Sequence, residues 1–171
     1  MSKQYYMTAI DVEGRRVVVI GDGGMADEKV AGLEACGALV ERVPASRYER
    51  RVLEGALLVV AATPDRKLNE RVFHDAERRG MLCNVADVPE LCNFILPAVH
   101  REGPIAVAVS TGGASPALAK RLRTQIAELV GPEHAELAEE LRALRPEVKE
   151  RFPTYEERRD YFEELVTERL A

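Results

Sequence analysis

Six residues early in the chain, Gly21-Asp22-Gly23-Gly24-Met25-Ala26, have the types and spacing to hold a phosphate group. They fit the pattern G-x-G-x-x-A. Gly21 permits a tight turn, Gly23 lets a pyrophosphate approach the backbone, and Ala26 is small enough for a helix to pack closely on a sheet. The N-terminus of that helix would offer free N–H groups to the anion. Such a turn needs a strand before it and a helix after it. Val17–Ile20 supplies the strand, and Ala26 to about Cys36 supplies the helix, with Gly37 as its C-cap. A nucleotide-phosphate site is the sharper reading; a purely structural glycine turn is the plainer one.

Asp87 is the next candidate. It follows the short apolar strand Leu82–Val85, at the carboxyl end where open α/β sheets gather their ligands. A carboxylate there either takes a proton in a reaction or only begins the turn before Pro89. Asn84 either orients a substrate or bonds backbone. Ser110, Thr111, Gly112 and Gly113 lie between a strand and a helix start, where exposed amides suit a substrate carboxylate and where hydroxyls also serve as plain helix caps. Lys120, Arg121 and Arg123 read more simply as solvated surface. His74, His100 and His134 are scattered, and none pairs with a cysteine at ligand spacing, so no protein-bound metal is expected.

The elements that must position these residues follow from the apolar runs. Val17–Ile20, Leu39–Val43, Leu57–Ala62 and Leu82–Val85 are strands of the kind buried on both faces in a parallel sheet. A helix begins at Thr63-Pro64-Asp65 and ends before Gly80. Beyond Pro89 the pattern changes. Phe94–Val99 and Ile105–Ser110 read as strands joined by a turn over His100-Arg101-Glu102-Gly103-Pro104. Ser115 caps a helix whose first residue is Pro116 and which ends at Gly131-Pro132. Two more helices follow; the last opens on the capping box Thr154-Tyr155-Glu156-Glu157, and Pro146 and Pro153 should kink or end the helix between them. The fold class expected is α/β: a Rossmann-like parallel-sheet nucleotide-binding domain over 1–90, a small α+β dimerisation region over 91–131, and C-terminal helices over 132–171. The elements after Phe94 are too few to cover both faces of their sheet, so a homodimer is expected.

Composition narrows the class. With 171 residues, 46% hydrophobic and 31% charged, the chain suits one soluble domain or two small ones. No apolar run approaches the roughly 20 residues of a membrane helix. Met1-Ser2-Lys3-Gln4-Tyr5-Tyr6-Met7 has no apolar leader core. Three cysteines without a C-x-x-C pair point to reduced thiols and a cytoplasmic setting. Residues 133–171 carry 12 acidic and 7 basic side chains, a net of −5 that equals the net charge of the whole chain. The remainder is therefore neutral, which argues against a nucleic-acid surface.

Four strings carry a resemblance to a known family: Val12–Val30 (V-E-G-R-R-V-V-V-I-G-D-G-G-M-A-D-E-K-V), Val59–Asn69 (V-V-A-A-T-P-D-R-K-L-N), Cys83–Ala98 (C-N-V-A-D-V-P-E-L-C-N-F-I-L-P-A) and Val107–Arg123 (V-A-V-S-T-G-G-A-S-P-A-L-A-K-R-L-R). The tail Arg151–Leu165 is similar to the family's closing helices. The chain resembles the siroheme-synthase dehydrogenase module, the precorrin-2 dehydrogenase and sirohydrochlorin ferrochelatase family. The resemblance implies NAD-dependent oxidation of precorrin-2 to sirohydrochlorin in a homodimer, with insertion of ferrous iron as a second reaction in some members. It places Asp87 at the family's active-site aspartate and Thr111 at its loop hydroxyl. Cofactor contacts are then expected from Gly21, Gly23, Gly24, Met25, Ala26, Ala45, Ser46 and Thr63, and substrate contacts from Asn84, Ser110, Thr111, Gly112 and Gly113.

One stretch departs from the family. After Val43 the chain runs through Pro44-Ala45-Ser46-Arg47-Tyr48 almost directly to the next strand, where a helix and another strand are usual. That region commonly frames the adenosine half of the cofactor. Glu41 lies 20 positions after Gly21, at the spacing of an acidic ribose partner, although strand alternation could equally turn it to solvent. Ser46 and Arg47 are the polar side chains nearest in sequence that could substitute. The expectation is weak dinucleotide affinity with poor discrimination between NAD and NADP. The alternative class is a non-catalytic tetrapyrrole- or nucleotide-binding dimer.

Overall fold

The structure, a computed structural model, describes residues 4–170. Met1, Ser2 and Lys3 of the amino-terminal stretch lie outside the described residues. The chain forms two compact units, Met1–Leu96 and Pro97–Ala171.

The first unit is a parallel sheet of four strands, β1 (Arg16–Ile20), β2 (Leu39–Val43), β3 (Leu58–Ala61) and β4 (Leu82–Val85), in the order β2-β1-β3-β4. Helix α1 (Gly24–Glu34) joins β1 to β2, and α2 (Arg66–Glu77) joins β3 to β4. Because strand side chains alternate, the all-apolar runs of β1 and β3 feed two cores at once. Val18, Ile20, Val59 and Ala61 pack with Val72 and Ala76 of α2. Val17, Val19, Leu58 and Val60 pack with Ala26 of α1. Each fully buried valine contributes about 1.5–3 kcal/mol of transfer free energy. The chain leaves β1 toward β2 on one side and β3 toward β4 on the other, so the topological switch lies between β1 and β3, where a ligand crevice is expected at the carboxyl ends.

The crossover from β2 to β3 contains two 3₁₀ turns, Ala45–Arg47 and Arg50–Leu53, in place of an α-helix. Tyr48 and Leu53 from this crossover fill the core beside α2. The Tyr48 hydroxyl donates to Asp75 (3.1 Å), and the Arg71 guanidinium lies 5.0 Å from the Tyr48 ring centre. β2 is left at the edge of the sheet, with Leu39 62% exposed.

The second unit holds an antiparallel pair, β5 (Ala98–Glu102) and β6 (Ile105–Val109), followed by α3 (Pro116–Leu129), α4 (Pro132–Arg151) and α5 (Tyr155–Leu170). Two expectations are corrected here. The first strand of this unit was expected over Phe94–Val99 and instead spans Ala98–Glu102, so that His100, Arg101 and Glu102 are paired strand residues and the turn shrinks to Gly103-Pro104. The apolar residues before Pro97 are used elsewhere: Ile95 packs on one core of the first unit and Phe94 on the other. Asn93 also docks on β4, its N–H donating to Cys83 O (3.1 Å) and its side-chain oxygen accepting from Cys83 N–H (2.7 Å). The second concerns Pro146, which sits inside α4 without ending it; the helix ends at Arg151, before Pro153. Pro146 is exposed, which lets water reach the carbonyl that loses its partner there. The expected caps of α3 and α5 form. Ser115 Oγ accepts from Leu118 N–H (3.2 Å), and Thr154 and Glu157 exchange hydrogen bonds as a capping box. No helix among the described residues is long and apolar enough to cross a membrane.

Candidate active site

Three strand ends meet at Gly21. Its N–H donates to Val43 O at the end of β2 (3.0 Å), and a Cβ placed on it would lie 2.3 Å from Ala62 O beyond β3. Its φ of +145° is also closed to ordinary side chains. No other residue fits this corner. Gly23 is different. It is the N-cap of α1 with an ordinary φ of −111°, and a Cβ there would meet nothing within 4 Å. Gly24 likewise faces open space. No side chain caps α1, so its first N–H groups point unshielded at the crevice. Ala26 is fully buried against the sheet, and Met25 stands 43% exposed at the rim.

The turn after β2 is fastened to this cradle. Ala45 N–H donates to Asp22 Oδ2 (3.0 Å), which brings Ala45 and Ser46 beside the glycine turn. Arg42 adds a second tie: its Nε donates to Gly21 O (3.0 Å), and its guanidinium pairs with Asp27. Thr63 adjoins the Gly21 corner through Ala62, but its hydroxyl is engaged locally, donating to Asn69 Oδ1 (2.7 Å) and accepting from Asp65 N–H (3.2 Å). Glu41 is drawn away from the carboxyl edge. Its carboxylate accepts from Nε and Nη2 of Arg16 (2.9 and 2.6 Å), at the opposite end of β1.

Asp87 stands exposed just past β4 with φ +60°, the single positive φ outside glycine among the described residues. Aspartate tolerates that left-handed region better than most residues, and the conformation marks a position held by its surroundings. The holding group is Cys92. Its buried Sγ accepts from Val85 N–H (3.3 Å) and approaches Val85 O and Val88 O (3.3 Å each), closing the loop that carries Asp87. Asn84 is buried, and its amide donates to Phe94 O (3.1 Å) and toward Cys92 Sγ (3.5 Å). Burial pushes the Cys83 thiol up to about 12, so it stays protonated and offers no nucleophile.

In the second unit the Ser110–Gly113 segment turns on two glycines at positive φ, +62° and +87°. Its hydroxyls fix the loop: Ser110 Oγ accepts from Gly112 N–H (3.1 Å), and Thr111 Oγ1 accepts from Ser115 N–H (3.0 Å) and donates to Ser115 O (3.2 Å). Gly112, Gly113 and Ala114 are exposed at the head of α3. The sequence candidates thus fall into two sets. The glycine turn, Ala45, Ser46, Thr63, Asn84 and Asp87 lie in the first unit; Ser110, Thr111, Gly112 and Gly113 lie in the second. Sequence reasoning missed Asp22, Arg42 and Cys92, whose positioning roles rest on partners distant in sequence. Among the described residues no three His, Cys, Asp or Glu side chains converge as a metal site.

Comparison with known proteins bears on what this arrangement serves. Residues 8–98 match the family model described as putative NAD(P)-binding, residues 102–129 the sirohaem biosynthesis protein central region, and residues 133–171 the sirohaem synthase dimerisation region. The siroheme synthase of Methylobacillus flagellatus is 38% identical over 170 residues, covering 88% of this chain and 36% of the relative. That of Nitrosococcus oceani is 33% identical over 187 residues, covering 98% of this chain and 40% of the relative. The chain therefore spans less than half the length of these curated relatives. A solved structure named SirC, precorrin-2 dehydrogenase, shares the fold with a TM-score of 0.79, covering 98% of this chain and 93% of its own at 22% identity.

Proposed function

This chain belongs to the siroheme-synthase dehydrogenase family, and from that membership we propose that it oxidises precorrin-2 to sirohydrochlorin with a nicotinamide dinucleotide as hydride acceptor. The observation that carries the reading is the open cradle at Gly23: a built phosphate turn whose second glycine faces empty space. The nicotinamide, when bound, accepts the hydride that leaves the reduced macrocycle. The rest of the chemistry falls to the protein. Gly23, Gly24 and the uncapped start of α1 hold the pyrophosphate. Ala45 and Ser46, tied to Asp22, border the adenosine side, and Met25 and Thr63 border the turn. Asp87 accepts the proton that accompanies hydride loss, so that the two-electron oxidation balances. Its loop is fixed by Cys92, which holds the backbone on either side of Asp87. The exposed amides at Gly112 and Gly113, with Ser110 and Thr111 shaping the loop, suit the substrate's carboxylates, and Asn84, near Asp87 at the end of β4, borders the macrocycle. Where ferrous iron is a further substrate, Asp87 would also carry the pyrrole protons that the metal displaces. Unbridged cysteines agree with a cytoplasmic setting. Incubation with precorrin-2 and dinucleotide tests the reading: appearance of the sirohydrochlorin spectrum supports it, and an unchanged substrate spectrum rejects it in favour of a binding protein.

The same reading makes the chain a homodimer through its second unit. α5 has no buried residue although it carries Tyr161, Phe162, Leu165 and Val166, and α3 leaves Leu118, Leu122 and Leu129 exposed. A two-stranded sheet with such uncovered helices calls for a partner surface, and a second copy supplies one by symmetry. Light scattering at micromolar concentration should return twice the 19.0 kDa chain mass. A monomer mass under those conditions would contradict this assignment.

A further inference from the structure

We propose that the groove between α4 and α5 is a second binding site for a large, flat, carboxylated ring of the class that the proposed reaction handles, held by Arg145 and Lys149 over an aromatic floor. The choice of ligand rests on the proposed reaction; the site itself rests on the second unit alone. A cavity of about 770 Å³ is lined by side chains of the two helices. That lies inside the range of about 300–1,000 Å³ usual for organic ligands. Tyr155, Phe162 and Val166 of α5 give it an apolar floor. Tyr155 is 67% exposed, so its ring is open to stacking.

The rim is cationic. Arg145 and Lys149 line it from α4, and Arg158 and Arg159 from α5, against the single carboxylate of Glu163. These charges are not equally spent. Arg159 is paired with Asp160 and Glu163. Arg158 is fixed in place, its Nη1 donating to Phe152 O and Pro153 O (2.8 Å each). Arg145 and Lys149 have no ion-pair partner among the described residues, whereas Arg142 beside them is paired with Glu139. Four positions apart, they stand one turn from each other on the same face of α4. Neighbouring cations above an apolar floor suit a ligand that is flat and apolar in the middle and anionic at its edge. A small anion has no use for the floor, and an apolar helix would bury the two cations unpaired. The cores of interfaces between protein chains are depleted of charge. The exposed Leu118, Leu122 and Leu129 of α3 therefore suit a second copy better than this groove does. None of the residues assigned to the reaction lines the groove, so binding here and turnover are separable.

Fluorescence titration of the whole chain with uroporphyrin, a stable carboxylated tetrapyrrole, tests the proposal. The double variant Arg145→Gln with Lys149→Gln should bind the ring about tenfold more weakly or worse, through loss of two charge-assisted contacts. Tyr155→Ala should weaken it about threefold or more with no change in charge. All three positions are exposed, so the fold tolerates both variants. Each should oxidise precorrin-2 at the wild-type rate and keep the wild-type mass in light scattering. Uptake unchanged in the double variant overturns the proposal. So does a fall to monomer mass in that variant, which gives the groove to a second copy. Displacement of the ring by phosphatidylglycerol vesicles gives it to a lipid and overturns the proposal equally. Ring binding that depends on Arg145 and Lys149 in a protein that never oxidises precorrin-2 rejects the reaction and keeps the site. Oxidation without such binding rejects the site and keeps the reaction.

Discussion

Gly23→Asp should lose dinucleotide binding by at least a hundredfold while the protein keeps its thermal transition. The site explains both halves. Gly23 has an ordinary extended φ, and a Cβ there meets no atom within 4 Å, so the folded chain accepts the side chain without strain. The carboxylate, however, enters the space reserved for the pyrophosphate and brings a like charge to it. A hundredfold loss corresponds to about 2.7 kcal/mol, within reach of one repelled and sterically excluded phosphate. Calorimetric titration gives the first half and a melting curve the second. Equal affinities in the two proteins would reduce the glycine turn to architecture. The same substitution at Gly21 would not make this test, because its Cβ would strike Ala62 O at 2.3 Å and disturb the sheet itself.

Asp87→Asn should lower turnover at least tenfold with little change in folding or in dinucleotide affinity. General acid–base groups contribute about 10²–10⁴ to rate, and the amide removes the proton acceptor while keeping the shape. Asparagine also tolerates the left-handed backbone that Asp87 occupies at φ +60°. Asp87→Ala removes the same function but adds strain of about 1 kcal/mol in that conformation, so the two variants separate catalysis from the turn. Dehydrogenation and iron insertion, each measured in both variants, give the outcome. Near-wild-type rates in Asp87→Asn would leave Asp87 as a turn residue only.

What the sequence disclosed was the part fixed by local physics. β2 and β4 coincide with the expected runs because each is bounded by turn residues on both sides. Ser115 and Thr154 cap their helices because each hydroxyl and the N–H that donates to it lie three residues apart. The paired features were hidden because their partners are distant. Glu41 has the spacing of a ribose ligand or of a solvent-facing strand residue, and its partner Arg16 lies 25 residues earlier. Asp22 was a filler in the glycine pattern, yet it anchors Ala45 across 23 residues. Lys67 and Arg71 line one surface cavity with Ala45, a neighbourhood that their distance along the chain conceals. The displaced β5 has the same origin: Phe94 and Ile95 have strand-like character, but the cores of the first unit compete for them and win. The glycine turn stood out because the covalent sequence alone dictates its geometry.

The most direct measurement of the central claim is the coupling of two products. Precorrin-2 and dinucleotide are mixed with the purified chain, and reduced nicotinamide and sirohydrochlorin are followed in the same cuvette. The account predicts that the two rise together in equal amounts, that Gly23→Asp produces neither, and that Asp87→Asn produces both slowly at the same ratio. Sirohydrochlorin formed without reduced nicotinamide, or a tetrapyrrole bound but never oxidised, would contradict it.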